Sequence, residues 1–377
     1  MHGHQEPSRN DVVLSAIASA DPAPGHGTEE MITAAGPRFS DDLIAMIRSL
    51  GIDSRRSIIT NYLDLVCGLD SPKWSAYAAE LAADAARACL ADARADVSAV
   101  GLVIGVSSSP PRPLPGFVCD LVAHLPELPH EAMNVNMQGQ GCAPLLKAVD
   151  VARWFLRANS EQSVLVVCAE APTAMSPPLT APRYGSFREC ASPSEAQATG
   201  DVLQGFLFGD AMVAMLLTAD GPGARFGPTC HLTNQRPDDV DLGQATGGGS
   251  NPPLTTPSRQ VLTLSPDIGS RGTAYAQQTV TRLLKQRESP MTPGDFPEAL
   301  VHTGSRRILD GVRQALGLRT SQLDASYRVL SERGNVAGAS LGLMIVDALA
   351  DPTPREVLMT TFGIGFSASA GVLTVPA

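Results

Sequence analysis

Three residues in this chain sit where chemistry is usually done. Cys142 follows the double-glycine turn Gln138-Gly139-Gln140-Gly141 and precedes a segment of helical periodicity. A cysteine at a helix start meets free N–H groups and the positive end of the helix dipole. The spacing therefore predicts a thiol with a lowered pKa, present as a nucleophilic thiolate near neutral pH. The glycines would let a substrate carbonyl approach the backbone, with the Cys142 N–H as an oxyanion donor. His302 ends the apolar run Ala-Leu-Val-His, just before Thr303-Gly304-Ser305 and a further helical pattern. Asn335 stands in Glu-Arg-Gly-Asn-Val-Ala-Gly-Ala-Ser, again after a glycine and before a helix. A nucleophile, a base or donor and a carboxamide at three strand-to-helix junctions suit acyl transfer through a thioester. Taken singly, each has a plainer reading: a buried helix-start cysteine, a loop histidine held by a hydrogen bond, and an asparagine that caps a helix. A papain-like protease also runs Cys, His, Asn, but its Cys-Gly-Ser-Cys-Trp signature is absent here and Cys142 lies far from the N-terminus.

The elements that would position these groups alternate strand and helix. The apolar, β-branched run at 100–106 and the segments 133–137 and 164–167 read as strands, with a helix at 142–158 whose Leu145, Val149, Ala152 and Leu156 share one face. Helices are expected at 41–50 and 74–93, and a proline-rich loop at 107–116. A strand at 207–218 is expected to be interrupted by Gly209-Asp210. The second half repeats the theme: a helix at 273–287, a strand at 299–303, helices at 306–318 and 337–350, and paired strands at 357–362 and 372–375. The first 40 residues read as a loose arm, 220–228 as a boundary and 245–258 as a flexible stretch. Alternation in both halves makes the class α/β, with sheets covered by helices.

Composition narrows the function. At 377 residues the chain exceeds the usual limit of one core, roughly 250–300 residues, so two halves sharing an interface are expected. A net charge of −10 argues against nucleic-acid binding, which needs Lys and Arg to neutralise phosphates. The seven cysteines (67, 89, 119, 142, 168, 190 and 230) are an odd number with no Cys-x-x-Cys pair, so neither a disulfide framework nor a zinc site is expected. No apolar run reaches the ~18 residues of a membrane span, and Met1–Asp11 has no apolar core of a secretory signal. The expectation is a cytoplasmic enzyme without a membrane or nucleic-acid partner.

Four ordered blocks carry a family resemblance. The segments VNMQGQGCAPLLKAVDVARWFL and VLVVCAEAPTAMS resemble the nucleophile region of thiolase-superfamily condensing enzymes. QGFLFGDAMVAMLL resembles their LFGDG segment, VHTGSRRILDGVRQALGL their histidine motif, and VLSERGNVAGASLGLMIVDAL their asparagine motif. The last two are most similar to type III polyketide synthases of the chalcone synthase kind. The resemblance implies a thiolase-like αβαβα fold of two pseudo-duplicated halves, 1–225 with the nucleophile and 226–377 with the histidine and asparagine, in a homodimer. It implies Cys142 as the acyl acceptor, paired with His302, and His302 with Asn335 as the pair that stabilises the enolate formed when a malonyl thioester loses carbon dioxide. Phe208 would match the family phenylalanine beside the site, though packing on a strand is an equal reading. Leu264 would match a phenylalanine of the cavity wall. Arg48, Arg55 and Arg56 are the candidates for a coenzyme A patch, or else the solvated end of a helix. The resemblance implies no metal and no cofactor beyond substrates carried as coenzyme A or acyl-carrier-protein thioesters.

The sequence departs from the family pattern at Thr303 and Ser305, where Pro and Gly are usual, and at the C-terminal loop GIGFSASAG, usually GFGPG. The expected activity is C–C bond formation by decarboxylative Claisen condensation, in specialised metabolism. The alternatives are transfer of the acyl group to a hydroxyl or amine, as a ketoacyl-synthase-III-like acyltransferase, or an inactive partner subunit of a synthase pair. The last would be expected to have lost its nucleophile.

Overall fold

A computed structural model describes residues 11–23, 25–246 and 261–376. Nine strands form its main sheet: β1 (Val12–Ala20), β2 (Val100–Ser107), β3 (Met133–Gln138), β4 (Ser163–Glu170), β5 (Ala211–Thr218), β6 (Ala224–Thr233), β7 (Glu298–Val301), β8 (Arg355–Gly363) and β9 (Ser367–Val375). Their order is β7-β8-β9-β6-β1-β5-β4-β2-β3. The order contains a repeat. Reading inward from β2, the pairs β2–β4, β4–β5 and β5–β1 are parallel, antiparallel, antiparallel. Reading inward from β7, the pairs β7–β8, β8–β9 and β9–β6 follow the same sequence. The two sets join where β1 pairs with β6 through Val12↔Phe226, Val13↔Arg225 and Leu14↔Ala224.

Side-chain alternation turns this sheet into layers, because successive residues of a strand face opposite sides. On β4, Leu165, Val167 and Ala169 face a core shared with helix α1 (Ala78–Asp92). Val164, Val166 and Cys168 face a second core containing helices α2 (Pro144–Ala158) and α6 (Ala339–Leu349). On β8, Val357 and Met359 face that same central core, whereas Leu358 and Phe362 face a third one, under α4 (Ile268–Leu284) and α5 (Arg306–Leu316). The succession is helix, sheet, helix, sheet, helix. This is the αβαβα arrangement that the sequence motifs imply. Its central layer packs tightly: a Cβ at Gly342 of α6 would lie 2.7 Å from Val213 of β5.

Local sequence explains the helix starts nearest the site. Pro144 occupies the first turn of α2, where its missing N–H costs nothing. Ser305 accepts the Ile308 N–H and caps α5, which ends on Gly317 in the left-handed region. The departure from glycine at position 305 is thus a helix cap.

Several expectations are corrected. Residues 12–20 are no loose arm but a strand in the middle of the sheet, with Val13 and Leu14 fully buried. Leu207 ends a helix, α3 (Pro193–Leu207), instead of starting a strand, and β5 begins only at Ala211. Within the stretch 220–228, β6 begins at Ala224. The flexible stretch read at 245–258 lies outside the described residues from position 247, as do the first ten residues of the expected arm. No helix among the described residues is long and apolar enough to cross a membrane.

Candidate active site

The parallel strands deliver their carboxyl ends to one place, the position at which open α/β sheets bind ligands. Ser108 and Ser109 follow β2, Gly141 and Cys142 follow β3, Glu170 ends β4, His302 follows β7, and Gly363 ends β8. All of them line one cavity of about 140 Å³, together with Phe208, Asn335, Leu264 and a set of aliphatic side chains. The structure therefore brings Cys142, His302, Asn335, Phe208 and Leu264 together from both halves of the chain.

Cys142 is half-buried and opens onto the cavity. It lies just outside the helix, since α2 begins at Pro144 with Ala143 as its cap residue. The turn before it is tight. Gly139 and Gly141 have φ of 70° and 57°, and a Cβ at Gly363 would lie 2.2 Å from the Cys142 nitrogen. The expected lowering of its pKa is not found. Burial pushes the thiol well up, and the nearby Glu170 carboxyl pushes it further in the same direction. His302 is 3% exposed, and burial lowers its pKa to about 4. Burial thus disfavours the charged form of both groups, the thiolate and the imidazolium.

His302 is fixed from three sides. Its N–H donates to Thr360 O at 3.0 Å, and its ring meets Phe362 edge-on at 5.8 Å. Thr303, the second departure from the family pattern, bonds through its hydroxyl to Ser340 of α6 at 2.8 Å. The ring Nδ1 is buried without a partner, an expensive condition that a merely structural histidine seldom meets.

Asn335 is not the cap of α6, whose cap residue is Gly338. Its Oδ1 accepts the Ala337 N–H at 3.0 Å, which fixes the amide and leaves its NH₂ group as the donating end. The backbone of Asn335 pairs with the segment after α3. Asn335 N–H donates to Leu207 O at 2.9 Å, and Gly209 N–H donates to Asn335 O at 3.2 Å. This pairing is what sets Phe208 beside Asn335. It requires glycine at 209, where a Cβ would stand 2.1 Å from Arg333 O. Ala337 is held at φ 45°, a strained value of the kind found at functional turns.

Two buried carboxyls escaped the sequence reading. Glu170 is fully buried and lines the cavity. It accepts N–H bonds from Ser108 at 3.0 Å, Ser109 at 3.2 Å and Gly338 at 3.2 Å, and an O–H bond from Ser109 at 2.7 Å. It thereby ties the loop after β2 to the turn that carries Asn335. Burial outweighs these bonds and raises its pKa to about 7. Asp210, raised to about 7 by burial, likewise accepts from Ile58 N at 2.9 Å and from Thr173 N at 3.0 Å. A carboxylate that ends an otherwise apolar strand, Ser-Val-Leu-Val-Val-Cys-Ala-Glu, was the signal available for Glu170.

The arginines separate. Arg55 cannot bind coenzyme A, because its side chain is wholly buried, bonded to Thr28 Oγ1 at 2.6 Å and Phe206 O at 3.1 Å and stacked over the Phe206 ring. Arg48 is exposed and paired with both oxygens of Glu29 at 2.8 Å. Arg56 is half-buried. Neither Arg48 nor Arg56 lines the cavity. Among the described residues no three His, Cys, Asp or Glu side chains are grouped to hold a metal ion.

No family model matches the chain. It is similar to bisdemethoxycurcumin synthase of rice, 27% identical over 92% of this chain and 78% of the relative. It is similar to β-ketoacyl-acyl-carrier-protein synthase III of Nitratidesulfovibrio vulgaris, 25% identical over 78% of this chain and 82% of the relative. Its fold matches that of CsyB, solved in complex with CoA-SH, with a TM-score of 0.78 and 18% identity over 97% of this chain and all of the other. In sequence and in its layered fold the chain is similar to thiolase-like condensing enzymes, which are acyltransferases. Within that class it is akin to the type III polyketide synthases.

Proposed function

We propose that the protein extends an acyl starter, held as a thioester on Cys142, by decarboxylative Claisen condensation with a malonyl thioester. The observation that supports it is the meeting of Cys142, His302 and Asn335 in one mostly apolar cavity. In the first step the Cys142 sulfur attacks the starter carbonyl while His302 takes the thiol proton. The departing thiolate recovers that proton. In the second step the malonyl carboxylate leaves as carbon dioxide, and its electron pair moves onto the thioester carbonyl oxygen. The Asn335 NH₂ and the His302 ring are the donors for that oxygen, each worth roughly 3 kcal/mol in a water-poor site. The enolate carbon then attacks the acyl carbonyl and expels the Cys142 thiolate, which takes up one proton from solvent.

The chemistry asks of the protein only hydrogen-bond donors and a nucleophile, so the reading needs no metal or organic cofactor. The structural relative that holds CoA-SH supports a coenzyme A thioester as donor, and the carrier-protein relative keeps an acyl carrier protein as the other source. Arg48 and Arg56 remain the surface cations for its phosphates. The halves are taken as 1–225 and 226–377, and the setting as the cytoplasm. A homodimer is part of the reading: β3 is a half-exposed edge strand, whose unpaired backbone groups can pair with a second copy.

Labelled malonyl-CoA and an acyl-CoA starter test the reading. Carbon dioxide release with a carbon-extended product, both lost in Cys142→Ala, is expected. Acylation without carbon dioxide release would mean transfer to a hydroxyl or amine instead.

A further inference from the structure

The cavity wall carries information about the starter. Beyond the reacting groups, it is built from apolar side chains of both halves, mostly aliphatic (Met175, Leu207, Leu262, Leu264, Ile268 and Ile308), with the rings of Phe208 and Phe362 beside them. No Lys, Arg, Tyr or Trp lines it among the described residues. Its remaining polar side chains are already engaged. The Ser108 hydroxyl donates to Gly141 O at 2.6 Å, the Ser109 hydroxyl to Glu170 at 2.7 Å, and the Gln204 amide to Met175 O at 3.3 Å. A second carboxylate on a starter would therefore meet no cation in the wall, and a phenol would exchange water for a mostly apolar lining, at a cost of about ten- to a hundredfold in affinity.

The described part of the roof is anchored. Leu262 and Leu264 belong to a two-stranded ribbon, Gly243–Thr246 paired with Val261–Leu264. Beside it, the buried Asp239 carboxylate accepts a bond from Tyr275 and an ion pair from Arg271 at 3.2 Å, both on α4. An apolar cavity of about 150 Å³ lined by Leu, Ile and Phe stays dry and takes up a six-carbon ring. The present one, at about 140 Å³, is of the same size.

We propose that the starter is an unsubstituted aliphatic acyl thioester with a chain of about six carbons, selected by burial in this apolar wall. The proposal rests on the condensation reading above. Each methylene placed in the wall should raise kcat/KM about fourfold, the equivalent of ~0.8 kcal/mol, until the cavity is full.

The test is a series of straight acyl-CoA starters from acetyl to dodecanoyl, with 4-hydroxycinnamoyl-CoA alongside, each assayed with malonyl-CoA on the full chain. A climb of about fourfold per methylene to a maximum at about five to eight carbons is expected, with 4-hydroxycinnamoyl-CoA at least tenfold below that maximum. Leu262→Phe, a half-buried position on the ribbon, should move the maximum to shorter chains. A maximum at acetyl, a maximum beyond about eight carbons, a flat profile, or preference for the phenolic starter overturns the proposal and leaves the condensation reading standing. An unmoved maximum in a folded Leu262→Phe protein also overturns it. If no thioester acylates Cys142 and no carbon dioxide is released, the condensation reading itself fails and the proposal with it.

Discussion

Asn335 allows its catalytic and structural parts to be separated. Its Oδ1 accepts the Ala337 N–H at 3.0 Å, while its NH₂ group is the end left to meet a substrate oxygen. Asn335→Ala removes both. It should slow malonyl decarboxylation by about 10²–10³, the usual effect of losing one oxyanion donor. It should also leave a buried N–H unpaired, costing about 1–3 kcal/mol of stability. Asn335→Asp is the informative change. Aspartate keeps an oxygen for the Ala337 N–H, so the turn and the strained Ala337 conformation should survive, and assay above about pH 8 holds its buried carboxyl ionised at some cost in stability. It has no donor to offer, so decarboxylation should still fall by about 10²–10³. The assay is carbon dioxide release from labelled malonyl-CoA at saturating substrate, beside denaturant unfolding of the same samples. Decarboxylation within a few-fold of the parent in a folded Asn335→Asp enzyme would refute the donor role.

Other outcomes follow from the same geometry. The Glu170 carboxyl has a folded pKa of about 7 against 4.5 unperturbed, so the folded state holds its proton more tightly. Its contribution to stability is full below the unfolded pKa and is lost as pH climbs to about 7, a change of about 3 kcal/mol. Glu170→Gln should flatten that part of the unfolding profile, and an unchanged slope would contradict the assignment. His302, lowered to about 4, stays neutral through the usual working range, so the acid limb of kcat/KM attributable to it should lie near pH 4 instead of 6.5. Alkylation of Cys142 in the free enzyme should keep accelerating above pH 9, because burial and Glu170 hold the thiol protonated; a plateau near pH 6 would restore the thiolate that the sequence suggested. Asp150 holds Arg153, Thr229 and His231 at a buried site on α2, and Asp150→Ala should cost about 3–5 kcal/mol by equilibrium unfolding.

Much of this was legible in the sequence, for identifiable reasons. Apolar β-branched runs bounded by glycine and proline marked β2, β4, β7 and β8 because both faces of those strands are buried. Val12–Ala20 was missed because a polar, glycine- and proline-rich flank masks it, and its burial depends on distant partners in β5 and β6. Helix α3 was missed because its sequence, Pro-Ser-Glu-Ala-Gln-Ala-Thr-Gly-Asp, has weak periodicity and contains a glycine. At the site, residue order was enough to bring out Cys142, His302 and Asn335. Spacing could not show Glu170, since its partners come from loops 62 and 168 positions away. Nor could it give the protonation of Cys142, which is set by burial and by that same carboxyl. Arg55 read as a surface cation because it lies in a charged run, but the fold turns it inward onto Phe206.

The central claim is that a single sulfur accepts the acyl group and that His302 and Asn335 act on the malonyl unit in the same cavity. Peptide mapping by mass spectrometry after brief exposure to hexanoyl-CoA tests it most directly, run on the parent and on Asn335→Asp. The account predicts one hexanoyl adduct, on Cys142, in both proteins, with only the parent going on to discharge it when malonyl-CoA is added. An adduct on another residue, or discharge into extended product by the Asn335→Asp enzyme at the parent's rate, would contradict it.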